Sequence, residues 1–485
     1  MSELSQLSPQ PLWDFFAKIC SIPHPSYHEE ALATFIVNWA SSQQLWCERD
    51  TTGNILIRKP ATPGMENRKP VALQAHLDMV PQKNNATEHD FARDPIQPWV
   101  DGEWLKARGT TLGADNGIGM ASALAVLADE SVEHGPLEVL LTMTEEAGME
   151  GAFGLQPNWL QAEILINTDS EEEGEVYMGC AGGIDFLSEL PIQREAIPAN
   201  AHTYEISIKG LRGGHSGADI HLGLGNATKL LARFFAEYGT QLELSLLDFK
   251  GGNLRNAIPR EASAIVAVSH EKEALLQQVL GDYLSILQNE VAPKDKQVTL
   301  EAKPAAYSGL ALTADSRDRF INLLNVTPNG VIRNSDVAQG VVETSLNIGI
   351  VVLEDEQAKI FCLIRSLIDS GKAYVVSMLH SLGALAGAKT EASGSYPGWQ
   401  PDANSAIMGL TREIYLKLFG KKPSIQVIHA GLECGLFRKP YPHLDMVSIG
   451  PTITGPHSPD EQVHIGSVAL YWQLLTALLK AIPTK

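Results

Sequence analysis

The chain has 485 residues, 44% hydrophobic and 19% charged, the composition of an ordinary soluble globular protein with length for two or three domains. Its 37 Lys and Arg against 57 Asp and Glu leave a formal net charge of −20, which disfavours nucleic-acid and membrane-surface partners. The longest apolar run, 118–128, is far below the ~20 residues of a membrane span, residues 1–16 lack the pattern of a secretory signal, and the 5 cysteines are scattered without a C-x-x-C pair. A disulfide framework and a thiolate metal knot are disfavoured, and a reducing, cytoplasmic compartment is expected.

Apolar residues at spacings of three and four predict helices over 13–20 and 29–41. Short Val/Ile/Leu-rich runs at 54–58, 71–76, 137–144 and 164–168 predict buried strands, with a packed helix at 118–129 between two of them. This alternation implies an α/β sheet domain with helices on both faces. A different rhythm begins near 187: strands at 204–209, 262–269, 342–353 and 359–365 and helices at 226–238, 271–288 and 372–385, the order of an α+β domain with an antiparallel sheet. From 397 the first rhythm returns, with helices at 405–418 and 467–482 and a strand at 446–449. The expected organisation is a first domain, 1–186 and 396–485, interrupted by an insertion, 187–395.

Chemistry-bearing residues gather where the predicted strands end. The 71–76 strand runs into His76-Leu77-Asp78, and residues two apart share a face, so Asp78 can reach the His76 ring and fix its tautomer. Alone, this pair also fits a solvated strand end. Asp115 precedes a helix and could be a simple cap, but Gly113 and Gly117 on either side permit closer approach of a ligand than a cap needs. Glu145-Glu146 and Asp169 follow two further strands, and open α/β sheets bind ligands at the carboxyl ends of their strands. His457 sits in a Gly/Pro-rich loop after the last strand. Histidine, aspartate and glutamate without cysteine suit two catalytic divalent ions such as zinc, and the charges of Asp115, Glu146 and Asp169 balance two such ions and a hydroxide. The run Glu171-Glu172-Glu173 is expected to be a solvated face.

The segments AHLDMV, TTLGADNGIGMA, TEEAGMEGA, INTDSEE, GGHSGADIH and GPHSPDE, in this order, resemble the co-catalytic metallopeptidase family of carboxypeptidase G2, acetylornithine deacetylase and the carnosinases. The resemblance implies a zinc-peptidase-type sheet domain interrupted by a lid. It implies that His76 and Asp169 hold one zinc, that Glu146 and His457 hold the other, and that Asp115 bridges them before a cis Asp115–Asn116 peptide. Glu145 would be the general base acting on a metal-bridging hydroxide, with Asp78 behind His76. His215, otherwise readable as part of a glycine turn, would be the lid residue that stabilises the oxyanion, and Arg365 would grip a substrate carboxylate. Asn256 (or Asn253) and Gly431, in the loop of residues 429–433, are further candidates for lining the substrate pocket. The expected cofactors are two Zn2+ per subunit, with Co2+ or Mn2+ as substitutes.

Clamps at both ends of a short substrate would make the enzyme a dipeptidase of unblocked dipeptides, Xaa-His dipeptides such as carnosine included. A deacylase of N-acyl amino acids or a tripeptidase could use the same metal pair. A non-enzymatic binding protein with a vestigial site is disfavoured by the intact Glu145. A homodimer through the lid is expected, although a lid this large could also mimic a partner and leave a self-sufficient monomer.

Overall fold

The strands Val71–His76, Leu137–Thr142 and Ile164–Asn167 are buried at every position, as strands are in a sheet covered on both faces. In the computed structural model, which describes residues 3–84, 86–291, 293–336 and 340–485, these three pair in parallel, and Asp445–Ser448 joins parallel to Ile164–Asn167. Trp46–Arg49 and Ile55–Lys59 extend one edge and Glu175–Cys180 and Ser424–Ile428 the other, making 8 strands. The helices Gln10–Cys20, Glu30–Ser42, Ala114–Ala128, Ala406–Phe419 and Ile465–Ala481 supply the apolar partners of this sheet.

Ala114–Ala128 is almost entirely buried, and its composition explains how. Gly117 lies against the Phe16 ring and Gly119 against Thr168, so small residues let the helix approach both a neighbouring helix and a strand end. A smaller sheet orders Ile453–Thr454, Gln462–His464, Trp104–Ala107 and Pro98–Asp101 side by side. Its first two strands are antiparallel, and His457 lies on the loop that joins them.

The chain forms two compact units. The first runs up to Cys180 and resumes over Trp399–Val427 and Leu432–Lys485; the second comprises Ala181–Gly398 and Ile428–Gly431. The second unit is built on a 9-stranded antiparallel sheet. Its order is Thr299–Pro304, Ala201–Lys209, Ala262–Ser269, Ser245–Gly251, Val342–Leu353, Gln357–Ser366, Gly182–Pro191 and Lys389–Tyr396, with Gly330–Asn334 beside Val342–Leu353. The helices Ala227–Tyr238, Glu273–Glu290, Ala314–Val326 and Asp369–Ala386 close its core around Phe234, Phe249, Tyr283 and Phe320. The fold class is the expected one, an α/β sheet interrupted by an α+β unit with an antiparallel sheet. Among the described residues, no helix is long and apolar enough to cross a membrane.

Candidate metal centre and active site

Parallel strands bring their carboxyl ends to one edge, and there His76 ends its strand while Asp169 follows Asn167 by two residues. The His76 Nδ1 lies 3.0 Å from the Asp78 carbonyl and 3.2 Å from the Asp78 carboxylate, so it carries the proton. This leaves Nε2 as the candidate ligand atom, directed at Asp115 (3.1 Å) and Asp169 (3.4 Å). The other Asp115 oxygen lies 3.1 Å from His457 Nε2, which is also 3.0 Å from Glu146. Asp115 thus shares its two oxygens between two clusters, His76–Asp115–Asp169 and Asp115–Glu146–His457, in each of which the donor atoms lie within 4.8 Å of one another.

Asp115 has extended dihedrals inside the helical segment that Gly113 opens in the left-handed region, so it is not a simple cap. The Asp115–Asn116 peptide is cis, and Asn116 Nδ2 donates to Asp169 and to the Thr168 carbonyl. A side chain at Gly119 would overlap Asn116 and Thr168. Gly119→Ala is therefore expected to destabilise the protein by about 1–3 kcal/mol and to weaken metal retention, measured by denaturant unfolding and metal content after dialysis.

The expected strand to residue 144 stops at Thr142, and Glu145 instead opens a short helical turn, Glu145–Gly148. The turn follows Thr144, a β-branched residue at φ 54°, a conformation that needs enforcement. Glu29, itself buried, accepts from both the Thr144 N–H and its hydroxyl at 2.9 Å. Asp78 completes the restraint, accepting from the N–H of Glu145 (2.9 Å) and of Glu146 (3.1 Å). One carboxylate therefore orients a candidate ligand, a candidate base and a second candidate ligand.

Whether this donor set suits cations can be judged from its own imbalance. Glu146 Oε1 is buried with no hydrogen-bond donor among the described residues, a costly arrangement unless a positive charge faces it. Burial and then the Asp115 charge push the Glu146 carboxyl up to about 7, and burial raises Glu145 well above the carboxylate range. Burial works against the charged form of His457 also, yet its bonds to Asp115 and Glu146 raise it to about 11. Two divalent ions fit a cluster with this excess of buried carboxylate oxygens.

Glu461 has no counterpart in the sequence reading, although it closes the quoted GPHSPDE segment. Its buried carboxylate accepts four successive backbone N–H groups, from Leu112 (2.7 Å), Gly113 (3.0 Å), Ala114 (2.8 Å) and Asp115 (3.3 Å). It thereby ties the His457 loop to the segment presenting Asp115. Glu433 ends the 429–433 segment. It is fully buried, takes hydrogen bonds from Gln74 (2.5 Å) and Thr142 (2.7 Å), and extends a polar ladder through Asn167 to Ser448 beneath the strand ends. The expectation of a solvated 171–173 face needs correction. Glu171 is half-buried and pushed up to about 9 by burial and by Asp115 and Asp169, and Glu173 accepts from the Tyr415 hydroxyl.

The remaining candidates belong to the second unit. His215 lies in a two-residue strand paired with Ala257–Ile258, and its Nδ1 accepts from the Gly217 (3.2 Å) and Ala218 (2.9 Å) N–H groups. Its Nε2 lies 3.4 Å from Arg365 Nη2. Arg365 is buried, donates to the Tyr396 hydroxyl (3.1 Å), and has no partner for Nε among the described residues. Asn256 is exposed, with its carbonyl accepting from the Ser216 N–H, and Gly431 follows His429, which bonds Ser345.

Comparison with known proteins agrees with this chemistry. Residues 72–481 match the sequence model of a family described as Peptidase family M20/M25/M40. The chain is 72% identical over 485 residues to the cytosol non-specific dipeptidase of Escherichia coli K12, covering 100% of both chains. It is 58% identical to the aminoacylhistidine dipeptidase of Vibrio alginolyticus, whose crystal structure superposes with a TM-score of 0.89 over 100% of this chain and 99% of that one. The aminopeptidase PepT of Bacillus cereus, at 15% identity and a TM-score of 0.56 over 98% and 99% of the two chains, shares the fold.

Proposed function

The chain belongs to peptidase family M20/M25/M40, and from that premise we propose that it hydrolyses unblocked dipeptides, Xaa-His dipeptides such as carnosine among them, at a centre of two divalent metal ions. The observation that carries this reading is Asp115, whose two oxygens each meet a different histidine–carboxylate pair. The dipeptide assignment is supported by the names of the relatives from Escherichia coli and Vibrio alginolyticus.

His76 and Asp169 would hold one ion, Glu146 and His457 the other, and Asp115 both. Zinc suits these nitrogen and oxygen donors, with cobalt or manganese as substitutes. When bound, such a pair lowers the pKa of water toward ~7 and polarises the scissile carbonyl. Glu145 takes the proton of the attacking water and delivers it to the leaving amine, its backbone held by Asp78. At His215, two N–H groups aimed at Nδ1 place the ring proton on Nε2, which makes this residue a suitable donor to the tetrahedral oxyanion. The buried fork of Arg365 suits the substrate carboxylate, and Asn256 and Gly431 would line the pocket around it.

Carnosine, Ala-His and other unblocked dipeptides should be cleaved by the purified enzyme, cleavage should stop on chelation, and zinc should restore it. Cleavage of N-acetyl amino acids or tripeptides in preference would overturn the dipeptide assignment in favour of a deacylase or tripeptidase.

The proposed assembly is a homodimer through the second unit. Its sheet ends in the exposed strand Lys389–Tyr396, and the helix Asp369–Ala386 exposes Tyr374 and Leu385 (66% and 86%). A monomeric mass by light scattering would refute this. The proposed location is the cytosol, consistent with the Escherichia coli relative's name and with five unpaired cysteines.

A further inference from the structure

On the second unit, three side chains from separate elements converge. His202 lies on the strand Ala201–Lys209, where it pairs with Val268 of Ala262–Ser269. His270 opens the turn that follows that second strand, and its N–H bonds the Asn200 carbonyl, so the two imidazoles stand side by side with ring centroids 5.7 Å apart. Glu273 is the first residue of the helix Glu273–Glu290. His202 Nδ1 lies 2.5 Å from one oxygen of its carboxylate and His270 Nδ1 lies 3.0 Å from the other. The Tyr204 hydroxyl donates to Glu273 at 2.7 Å and fixes the carboxylate.

We propose that His202, His270 and Glu273 form a further binding site for a divalent transition-metal ion, separate from the catalytic pair. The donor atoms of the three lie within 4.8 Å of one another. Both rings direct the same nitrogen, Nδ1, toward one carboxylate. Moving each ring proton to Nε2 turns these two nitrogens into lone-pair donors converging beside an anionic oxygen. Two imidazoles and a carboxylate select zinc, nickel or copper over magnesium or calcium, which prefer all-oxygen shells. With the histidine side chains 61% and 78% exposed, water completes the coordination and the ion exchanges freely. The adjacent Lys272 is directed away from the cluster, to the Gln241 carbonyl (3.0 Å) and to Glu243 (3.4 Å). A bound ion would pin the start of the helix to the sheet.

The test is zinc content after equilibrium dialysis of the full-length protein. Wild type should hold about three ions per chain, and His202→Ala/His270→Ala about two with dipeptidase activity unchanged. Glu273→Gln should behave like the double variant. In a His76→Ala background, which disables the catalytic pair, replacing His202 should still release one ion, so failure here is distinguishable from failure of the dipeptidase reading. Equal zinc content in wild type, His202→Ala/His270→Ala and Glu273→Gln, with no further loss when His202 is replaced in the His76→Ala background, would overturn the site. Because the double variant could lose fold rather than metal, His270→Gln, a substitution at an exposed side chain, provides a second measurement, and an unchanged zinc content there would also count against the site.

Discussion

Glu145→Gln is expected to lower kcat for dipeptide hydrolysis by about 10²–10⁴-fold, the contribution of a positioned general acid–base. The amide keeps the size of the carboxylate and the turn that carries it. The restraints on this turn act on backbone atoms, through Asp78 at the Glu145 and Glu146 N–H groups and Glu29 at Thr144. The neighbouring candidate ligands His76, Asp115, Glu146, Asp169 and His457 are untouched. The variant should therefore bind two metal ions as tightly as wild type, with KM altered far less than kcat. Retained turnover in a metal-loaded variant would remove Glu145 from the role of base. Loss of metal together with activity would instead make it a ligand.

The second large effect is expected at Glu461, which stands apart from the reacting atoms. Glu461→Ala would leave four N–H groups of the 112–115 segment without their acceptor, each a buried donor at or near the candidate bridging aspartate. An unsatisfied buried donor costs about 1–3 kcal/mol, so destabilisation of several kcal/mol is expected unless water enters. Loss of an outer partner of a metal ligand typically weakens metal affinity by about 10–100-fold. The readouts are the midpoint of urea unfolding and the free-zinc concentration giving half activity. Glu461→Gln preserves an acceptor oxygen and should lose less on both measures. If Glu461→Ala needs no more zinc than wild type, the carboxylate does not position Asp115.

Both predictions rest on residues that were legible to different degrees. His76, Asp115, Glu145, Glu146, Asp169 and His457 stood out because apolar runs or glycine-rich turns stop at them, and a buried strand has no reason to end in a histidine or two carboxylates. Glu461 sits in one of the quoted segments, yet its partners are the backbone N–H groups of a segment more than 340 residues earlier, and such groups leave no mark on a sequence. Glu433, Gln74 and Asn167 likewise look like ordinary polar residues until strands from distant parts of the chain are laid side by side.

The same division runs through the fold. Helices and strands such as 71–76, 262–269 and 342–353 declared themselves, because burial imposes an apolar pattern with the period of the element. Lys389–Tyr396 did not, since an edge strand with the sequence KTEASGSY has little apolar surface to hide. Nor did Ala314–Val326, whose start is set by the Thr313 hydroxyl accepting from the Ser316 N–H and whose inward face has only a few large apolar residues. By itself the sequence determined the alternation of α/β and α+β segments, the reactive residue types and their places at strand ends, because periodicity and chemistry are local properties. Tertiary structure alone decided which strand lies beside which, that Asp115 turns one oxygen to each histidine, and that Asp78, Glu29 and Glu461 hold the turns in place. Those outcomes depend on contacts between residues far apart in the chain, and a sequence records such contacts only through the residue types that can make them.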